Sequence, residues 1–451
     1  LSTKTSNHFY TNMDFQSILD SIIYFFTSRP DIWVYLVIPI TAAVIGWGTN
    51  VLALKMTFYP VDFIGVEADN NEWFGIKPVG WEGVNKIGWQ GIIPAKASVM
   101  ASKAVDMMLG KLIDLQEQFA QIDPEIVADE MSPRLEALSR QIIEEAMTKE
   151  MPLIWNRLPQ RRKEQIYEDA AKEFPNAIEV IMNDIKEHID ELFDVKAMVV
   201  HELTTNKKLL NYIFLKVGKD EFKFIEKSGF YFGFIFGVIQ MILSILLPNI
   251  NWLLLPVGGV VIGYLTNWLA LRLIFQPVNP VKVGPITFQG LFIKRQTGVA
   301  AEYAKIVAAQ ILNTPNIFQA ILHGVGAEQL SQIVEKHIRA AVDKTAGFSR
   351  SLIQITSGTK TYEAVKNIAT ARFMEVIPEN VKYVFDYAEE ALDIENTIKT
   401  RMAELPPEEF VDFLRPVFQE DEMKLILVGA ALGGMAGLFQ LLAITLQQFF
   451  G

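Results

Sequence analysis

The sequence predicts an all-α membrane protein with four transmembrane helices in two tandem parallel repeats, each with a large helical soluble insert. Long uncharged apolar runs, a repeated series of motifs and helical periodicity in the charged regions together predict this class. Residues 32–54, 228–271 and 425–451 carry no charge. About 20 apolar residues in a helix cross the ~30 Å hydrocarbon core of a bilayer. The middle run is twice that long and is interrupted at Pro248–Asn251, so it predicts two spans.

Seven segments follow from these boundaries. In chain order, we expect a tail with an interfacial amphipathic helix (1–30), a first span (32–58), the helical soluble region of the first repeat (61–227), a second span (229–247), a third span (252–275), the helical soluble region of the second repeat (279–423) and a fourth span (425–447). Apolar residues at three- and four-residue spacing, such as Ile178, Ile181 and Ile185, predict that the soluble regions are helical.

The spans carry the evidence for a repeat. Residues 39–61 align with residues 256–278 and share the pattern G-x-x-T-N-x-L-A-L-[KR]-x-x-F-x-P-V. A Gln-Gly pair follows in each copy, and the first copy carries 18 additional residues before it. The second and fourth spans also align, through three glycines and a glutamine. Because an even number of spans separates equivalent points, the copies are expected to run parallel, related by a pseudo-two-fold axis along the membrane normal.

Charge predicts the orientation. Basic residues cluster at the span ends that adjoin the soluble regions, including Lys207, Lys208, Lys223 and Lys227, whereas the opposite ends carry almost none. Positively charged flanks stay in the cytoplasm, so we expect a multi-pass inner-membrane protein with cytoplasmic soluble regions and both termini outside. The net charge of −11 argues against a nucleic-acid partner.

Small residues recur every four positions in the spans. Glycines at this spacing lie on one helix face and allow a second helix to approach closely. We therefore predict helix packing through Gly46 and Gly263 in the first and third spans and through Gly229, Gly233, Gly237, Gly429, Gly433 and Gly437 in the second and fourth. If these glycines face other subunits, Gly433→Leu should dissolve an oligomer without unfolding the soluble regions.

Polar side chains lie beside these glycines and form a candidate intramembrane site. Its members are Thr49, Asn50, Thr266, Asn267, Gln240 and Gln440. In one interpretation the amides join neighbouring helices, because an amide in hydrocarbon needs a hydrogen-bonded partner. In the other, they converge near the pseudo-two-fold axis and line a site or path for a solute, an ion or a lipid headgroup.

Four cations are candidate contacts for lipid headgroups. Lys55 and Arg272 directly follow the first and third spans, and Lys96 and Arg295 follow the Gln-Gly segments. Cations at the membrane surface attract anionic headgroups. The simpler interpretation of Lys55 and Arg272 is that their long side chains reach from the span to the interface.

The paired T-N blocks, the Q-G-x-x-P-x-K segment at 90–96 and the glycines at 429–437 resemble a bacterial membrane family catalogued as domain of unknown function 445. The segment 217–240 is similar to its proteobacterial members. The resemblance covers nearly the whole chain and implies a bacterial inner-membrane protein. It brings no established activity, so no catalytic residue is carried over. Ile293 stands where the first copy has Pro94, which puts that turn in doubt for the second copy.

These observations favour an oligomeric membrane scaffold or assembly protein with a helical soluble platform, in contact with membrane lipids and with copies of itself. The alternative is a transporter or channel for a lipid or a small solute, with the polar amides lining its path. No H-E-x-x-H motif, Walker A motif or dinucleotide fingerprint occurs, and the chain has no cysteine. We therefore expect no enzymatic activity, no cofactor and no metal site.

Overall fold

The computed structural model describes residues 32–67, 86–347, 358–415 and 422–450. The predicted tail and amphipathic helix at residues 1–30 lie outside this part, as do the 18 additional residues of the first copy. Four helices of the described chain are long and apolar enough to cross a membrane. Helices dominate the rest of it too, so the predicted all-α membrane class is confirmed.

The first half of the described chain begins and ends with a long apolar helix. Its elements are α1 (Ile32–Phe58), β1 (Ile64–Glu67), β2 (Lys86–Trp89), α2 (Ile92–Ala95), α3 (Ala97–Lys111), α4 (Leu115–Ala120), α5 (Pro124–Glu150), α6 (Pro152–Arg157), α7 (Gln160–Glu187), α8 (Ile189–Leu192), α9 (Val195–Thr205), α10 (Lys207–Val217) and α11 (Lys219–Leu246). Strands β1 and β2 form an antiparallel hairpin.

The second half has a similar order. After a 3₁₀ turn at Pro248–Ile250 it contains α12 (Asn251–Phe275), β3 (Val281–Val283), β4 (Ile286–Phe288), α13 (Leu291–Lys294), α14 (Gln296–Gln310), α15 (Thr314–His323), α16 (Ala327–Ala346), α17 (Thr359–Asn380), a 3₁₀ turn (Val381–Val384), α18 (Phe385–Leu392), α19 (Ile394–Glu404), α20 (Pro407–Leu414) and α21 (Glu422–Phe450). Strands β3 and β4 also pair antiparallel, and Gly284 between them has a positive φ of 61°.

The chain divides into two compact units. Of the described residues, the membrane unit comprises 32–67, 86–92, 219–291 and 422–450, and the helical unit comprises 93–218, 292–347 and 358–415. Each unit therefore takes segments from both halves of the sequence. Helix α11 of the membrane unit begins at Lys219, ten residues before the predicted span, because its first turns carry charges but remain helical.

The core of the helical unit is a bundle of α5, α7, α16 and α17. Helix α5 packs on α7, α7 on α16, α16 on α17, and α17 back on α5. The rings of Phe174 and Phe373 meet at a centroid distance of 5.9 Å within it. Side chains cap several helices of the unit, as when the Asp194 carboxylate accepts from the Ala197 amide at 2.8 Å. Helix propensity, caps and apolar stripes thus agree with the fold of this unit.

A histidine and a lysine of α16 hold a carboxylate of α7. His337 Nε2 lies 2.6 Å from Asp184 Oδ2, and Lys336 Nζ lies 3.1 Å from the same oxygen. The hydrogen bond with His337, followed by that with Lys336, holds the pKa of Asp184 below its usual range despite partial burial. Because the pKa of Asp184 is lower in the folded chain than in the unfolded chain, where it is about 3.9, its ionisation stabilises the folded state at pH values above that value. This stabilisation is lost as the pH falls through the pKa that Asp184 has in the folded chain.

We therefore expect Asp184→Asn to lower the thermal stability of the full chain at pH 7, because it removes the charged partner of His337 and Lys336. The difference from the natural chain should shrink as the pH falls below about 4, where Asp184 itself becomes protonated. Thermal unfolding followed by circular dichroism between pH 3 and pH 7 measures the difference in stability between Asp184→Asn and the natural chain. Glu187→Gln removes an exposed carboxyl from the same helix and is the matched control. A difference that stays constant across this range contradicts the prediction.

Candidate functional site

The spans of the membrane unit pack in two pairs, α1 with α11 and α12 with α21. In the first pair three positions of α1 face three glycines of α11: Gly46 lies against Gly229, Ala42 against Gly233, and Pro39 against Gly237. A Cβ atom at Gly46 would overlap the carbonyl oxygen of Gly229 and lie 3.3 Å from the Cα of Gly233. Glycine is required here because the two backbones touch.

The second pair repeats these contacts at the positions that the sequence alignment makes equivalent. Gly263 meets Gly429, Gly259 meets Gly433, and Leu255 and Pro256 meet Gly437. A Cβ atom at Gly433 would overlap the carbonyl oxygen of Gly259. The expectation that these glycines face other subunits is therefore wrong: their faces are covered by the partner span of the same chain. Gly433→Leu would disrupt the pairing of α12 with α21 inside one molecule.

One asparagine lies at the end of each glycine contact. Asn50 is 1% exposed, and its Nδ2 donates to the Ile225 carbonyl oxygen at 2.6 Å. Asn267 is 3% exposed and donates in the same way to the Leu425 carbonyl oxygen at 2.9 Å. Both side chains thus reach the main chain of the paired span across the space that Gly229 and Gly429 leave open. The Oδ1 atom of each asparagine is buried without a hydrogen-bond partner among the described residues.

The hydroxyl groups of the two threonines beside these asparagines form hydrogen bonds within their own helices. Thr49 Oγ1 donates to the Gly46 carbonyl oxygen at 3.1 Å, and Thr266 Oγ1 to that of Gly263 at 3.3 Å. Both side chains are buried. Back-bonding of this kind is the ordinary way for a hydroxyl to be accommodated inside a membrane helix.

The glutamines connect the two halves of the membrane unit. Gln240 of α11 donates to the carbonyl oxygens of Leu255 (3.3 Å) and Leu254 (3.4 Å) on α12. Gln440 of α21 donates to Thr41 Oγ1 on α1 at 3.1 Å. Each glutamine therefore bonds to the span that begins the other half.

A single difference between the halves explains why these two contacts are not identical. Thr41 donates in turn to the carbonyl oxygens of Val37 (3.1 Å) and Ile38 (2.9 Å), which are the counterparts of Leu254 and Leu255. The counterpart of Thr41 is Gly258, where a Cβ atom would come within 2.6 Å of Gln240 Nε2. Thus Gln240 reaches the carbonyls directly, whereas Gln440 reaches them through a hydroxyl.

The Gln-Gly pairs close the chain segment that follows each span. The Gly91 amide donates to the Pro60 carbonyl oxygen at 2.9 Å, and Gln90 Nε2 donates to that of Val61 at 2.7 Å. In the second half the Gly290 amide donates to Pro277 at 2.9 Å and Gln289 Nε2 to Val278 at 3.2 Å. A Cβ atom at Gly91 would lie 2.7 Å from the Phe58 carbonyl carbon. These motifs fix the chain where it leaves the spans.

The four candidate headgroup cations belong to different units. Lys55 and Arg272 lie in the membrane unit and are exposed. Arg272 Nε donates to Gln276 Oε1 at 2.9 Å, and its guanidinium lies 5.0 Å from the centre of the Trp268 ring. Lys96, which is half-buried, and the exposed Arg295 belong to the helical unit. Their contact with lipid headgroups stays a prediction.

The helical unit contains an apolar cavity of about 160 Å³ between α5, α7, α16 and α17. Its walls are almost entirely hydrocarbon, contributed among others by Ile142, Met147, Ile338 and Val365. Among the described residues, no group of three or more His, Cys, Asp or Glu side chains could hold a metal ion.

Two curated proteins match parts of the sequence. A UPF0754 membrane protein of Thermosynechococcus vestitus is 31% identical over 137 residues, which are 29% of this chain and 31% of that protein. A UPF0754 membrane protein of Microcystis aeruginosa is 23% identical over 195 residues, 40% of this chain and 45% of the relative. The chain is similar to UPF0754 membrane proteins. It spans less than half the length of these curated relatives. No family model matches the chain, and no solved structure matches it significantly.

The similarity to UPF0754 membrane proteins and the four apolar helices agree that this chain is a membrane protein. Sequence reasoning identified the asparagines and glutamines but missed Thr41 and Gly258, which complete the contacts between halves. Both occupy the same position of the aligned repeat. Their difference in side-chain size was visible in the alignment, but its meaning depended on knowing where the glutamines reach.

Proposed function

We propose that this chain is a membrane scaffold or assembly protein, in which four fixed spans hold a helical platform at the membrane. One observation carries the proposal: all four intramembrane amides donate to groups of their own chain. Asn50 and Asn267 bond within the span pairs, and Gln240 and Gln440 bond between them. Side chains engaged in this way hold neighbouring helices together.

The proposal includes an internal duplication. The same glycine contacts, asparagine bonds and Gln-Gly closures occur at equivalent positions of the two halves. Two parallel copies related by a pseudo-two-fold axis account for this recurrence. The cross-half glutamine contacts then join two copies of one unit, much as a symmetric interface joins two subunits.

We also propose that the protein forms homo-oligomers in the inner membrane of a bacterium, with the helical unit in the cytoplasm. Because the glycine faces are covered within the chain, an oligomer would form through the large apolar side chains that α11 and α21 expose, among them Phe234, Ile239, Phe439 and Leu442. The exposed cations Lys55, Arg272 and Arg295, together with Lys96, are proposed to contact anionic headgroups. The chain is not proposed to have enzymatic activity or a cofactor.

The second candidate function is a path for a lipid or a small solute. It is favoured by one observation, the two buried Oδ1 atoms of Asn50 and Asn267 without hydrogen-bond partners. A passing ligand with a donor group could use them. Against it stands the burial of both side chains between packed helices.

Accessibility of the threonines beside the asparagines distinguishes these functions. Since the chain contains no cysteine, Thr49→Cys and Thr266→Cys each introduce a single thiol in place of a hydroxyl of similar size. In lipid nanodiscs, a scaffold predicts that a charged, water-soluble methanethiosulfonate leaves both thiols unmodified. Lys55→Cys, exposed on the same helix as Thr49, is the reactive control. Native mass spectrometry of the same samples reads the oligomeric state.

Two results together support the scaffold: unmodified thiols at positions 49 and 266, and a mass that corresponds to two or more chains of 50.9 kDa each. Modification of either thiol at a rate near that of Lys55→Cys means that water reaches the amides, and this result favours the path. A monomer with unreactive thiols contradicts the oligomeric scaffold.

A further inference from the structure

The connection between α5 and α7 is unusually basic for an acidic chain. Residues 151–163, called the basic turn here, contain Arg157, Arg161, Arg162 and Lys163 and no acidic residue, whereas the whole chain has a net charge of −11. The three arginines are exposed. Lys163 lies with its Nζ 4.7 Å from the centre of the Trp155 ring. Three exposed guanidinium groups and one half-buried ammonium group thus lie at one end of the bundle.

The three arginines of the turn have no ion-pair partner among the described residues, whereas Lys163 lies near Glu144, and the hydrogen bond from Tyr167 and the charge of Lys163 lower the pKa of that carboxyl. Elsewhere in this unit arginines pair with carboxylates, as Arg372 does with Glu145 and Arg401 with Glu117, each at 2.6 Å. Arg157 and Arg161 make no ion pair with any residue that the structure describes. The turn therefore presents three guanidinium groups that make no ion pair with the described residues of their own unit.

Large apolar side chains stand among these cations. Leu153 is 76% exposed, and Ile154 beside it is also exposed. The exposure of Leu153 follows from the burial of Trp155, which is 0% exposed and packs edge-on against Tyr167 at a centroid distance of 6.0 Å. With Trp155 pointing into the bundle, the one-and-a-half-turn helix α6 must direct Leu153 outward.

Cations interleaved with exposed aliphatic side chains are suited to bind an anionic bilayer surface, because the cations attract the headgroups and the aliphatic side chains insert among them. A protein partner is less well matched, since stable protein interfaces bury about 800 Å² on each side, far more than two aliphatic side chains provide. A lipid surface needs no such area, because the contributions of single cations and single inserted side chains add together.

We propose that the basic turn docks on an anionic lipid surface, with Leu153 and Ile154 inserted at the headgroup level and Arg157, Arg161 and Arg162 bound to lipid phosphates. The helical unit then holds lipid through a surface of its own, separate from the four spans. Each cation contributes about a fivefold increase in partitioning, so removing the three arginines should weaken docking about a hundredfold.

A fluorophore at the turn tests this in the full chain. Asn156→Cys places a unique thiol between the inserted residues and the arginines, where an environment-sensitive dye such as nitrobenzoxadiazole can be attached. Emission is recorded with the protein in neutral phosphatidylcholine nanodiscs, in nanodiscs with one-third phosphatidylglycerol, and in neutral nanodiscs mixed with phosphatidylglycerol vesicles. Val325→Cys carries the control dye, because Val325 is 82% exposed in a turn without clustered cations.

We expect a blue shift and an intensity increase at position 156 with phosphatidylglycerol in at least one arrangement, and no change at position 325. In an Arg157→Gln, Arg161→Gln, Arg162→Gln background the lipid concentration needed for half the change should rise about a hundredfold. An unchanged emission in both phosphatidylglycerol arrangements overturns the proposal. So does an equal shift in neutral lipid, or a shift that survives loss of the three arginines.

Discussion

Gly46→Ala is expected to lower the free energy of unfolding of the membrane unit by about 3 kcal/mol, the upper end of the range for overpacking. The added methyl group would overlap the Gly229 carbonyl oxygen and come within 3.2 Å of its carbon. A flexible side chain could move aside, but here the obstacle is the backbone of α11. The two helices must therefore separate, and the separation also weakens the hydrogen bond from Asn50 to Ile225.

The matched control lies two residues further along the same helix. A Cβ atom at Gly48 would meet no atom within 4 Å, so Gly48→Ala should be neutral or stabilising by up to about 1 kcal/mol through helix propensity. Thermal unfolding in detergent, followed by circular dichroism and by size-exclusion chromatography of heated samples, measures the difference. Equal stabilities for the two variants would mean that α1 and α11 do not pack through Gly46.

Trp155→Ala should destabilise the helical unit by about 3–5 kcal/mol, the usual cost of truncating a large buried aromatic side chain. Trp155 is fully buried and packs against Tyr167, whose hydroxyl donates to Glu144. Burial, and then the hydrogen bond to Glu144, raises the pKa of Tyr167 to about 12, so this hydroxyl remains a donor throughout the neutral range. Loss of the indole opens a void against this pair.

Leu153→Ala is the control for this effect. It removes an aliphatic side chain of the same short helix that is mostly in water, and a change within about 0.5 kcal/mol is expected. Urea unfolding of the full chain compares the two variants. It is followed by far-ultraviolet circular dichroism, which reports helix content and does not depend on tryptophan fluorescence. A large loss for Leu153→Ala would show that this side chain packs within the protein, which would also argue against its insertion into lipid.

The proposed contacts of the basic turn and of the spans with lipid differ in kind. The spans are long apolar helices, and the amide groups of Asn50 and Asn267 donate to main-chain carbonyls of the same molecule. The basic turn combines charge with a small apolar tip and suits the headgroup layer instead. A scaffold with both kinds of contact could respond to the anionic lipid content of a membrane while staying inserted in it.

The sequence by itself determined the four spans and the all-α class. Uncharged runs of this length are incompatible with water and force the backbone into helices inside hydrocarbon, whatever their neighbours are. It also identified the asparagines, the glutamines and the glycines, since these residue types are costly or unusual in a membrane helix unless they make a contact.

Only the tertiary structure decided what those residues contact. Gly433 could equally have faced another subunit. A row of glycines on one helix face indicates that another helix packs closely there, but it does not indicate whether that helix belongs to the same chain. The structure assigns that face to Gly259 of the same chain. It likewise decided that Gln440 bonds to Thr41, a residue 399 positions away. Contacts so distant in sequence depend on how the helices assemble, and no local pattern of residues encodes them.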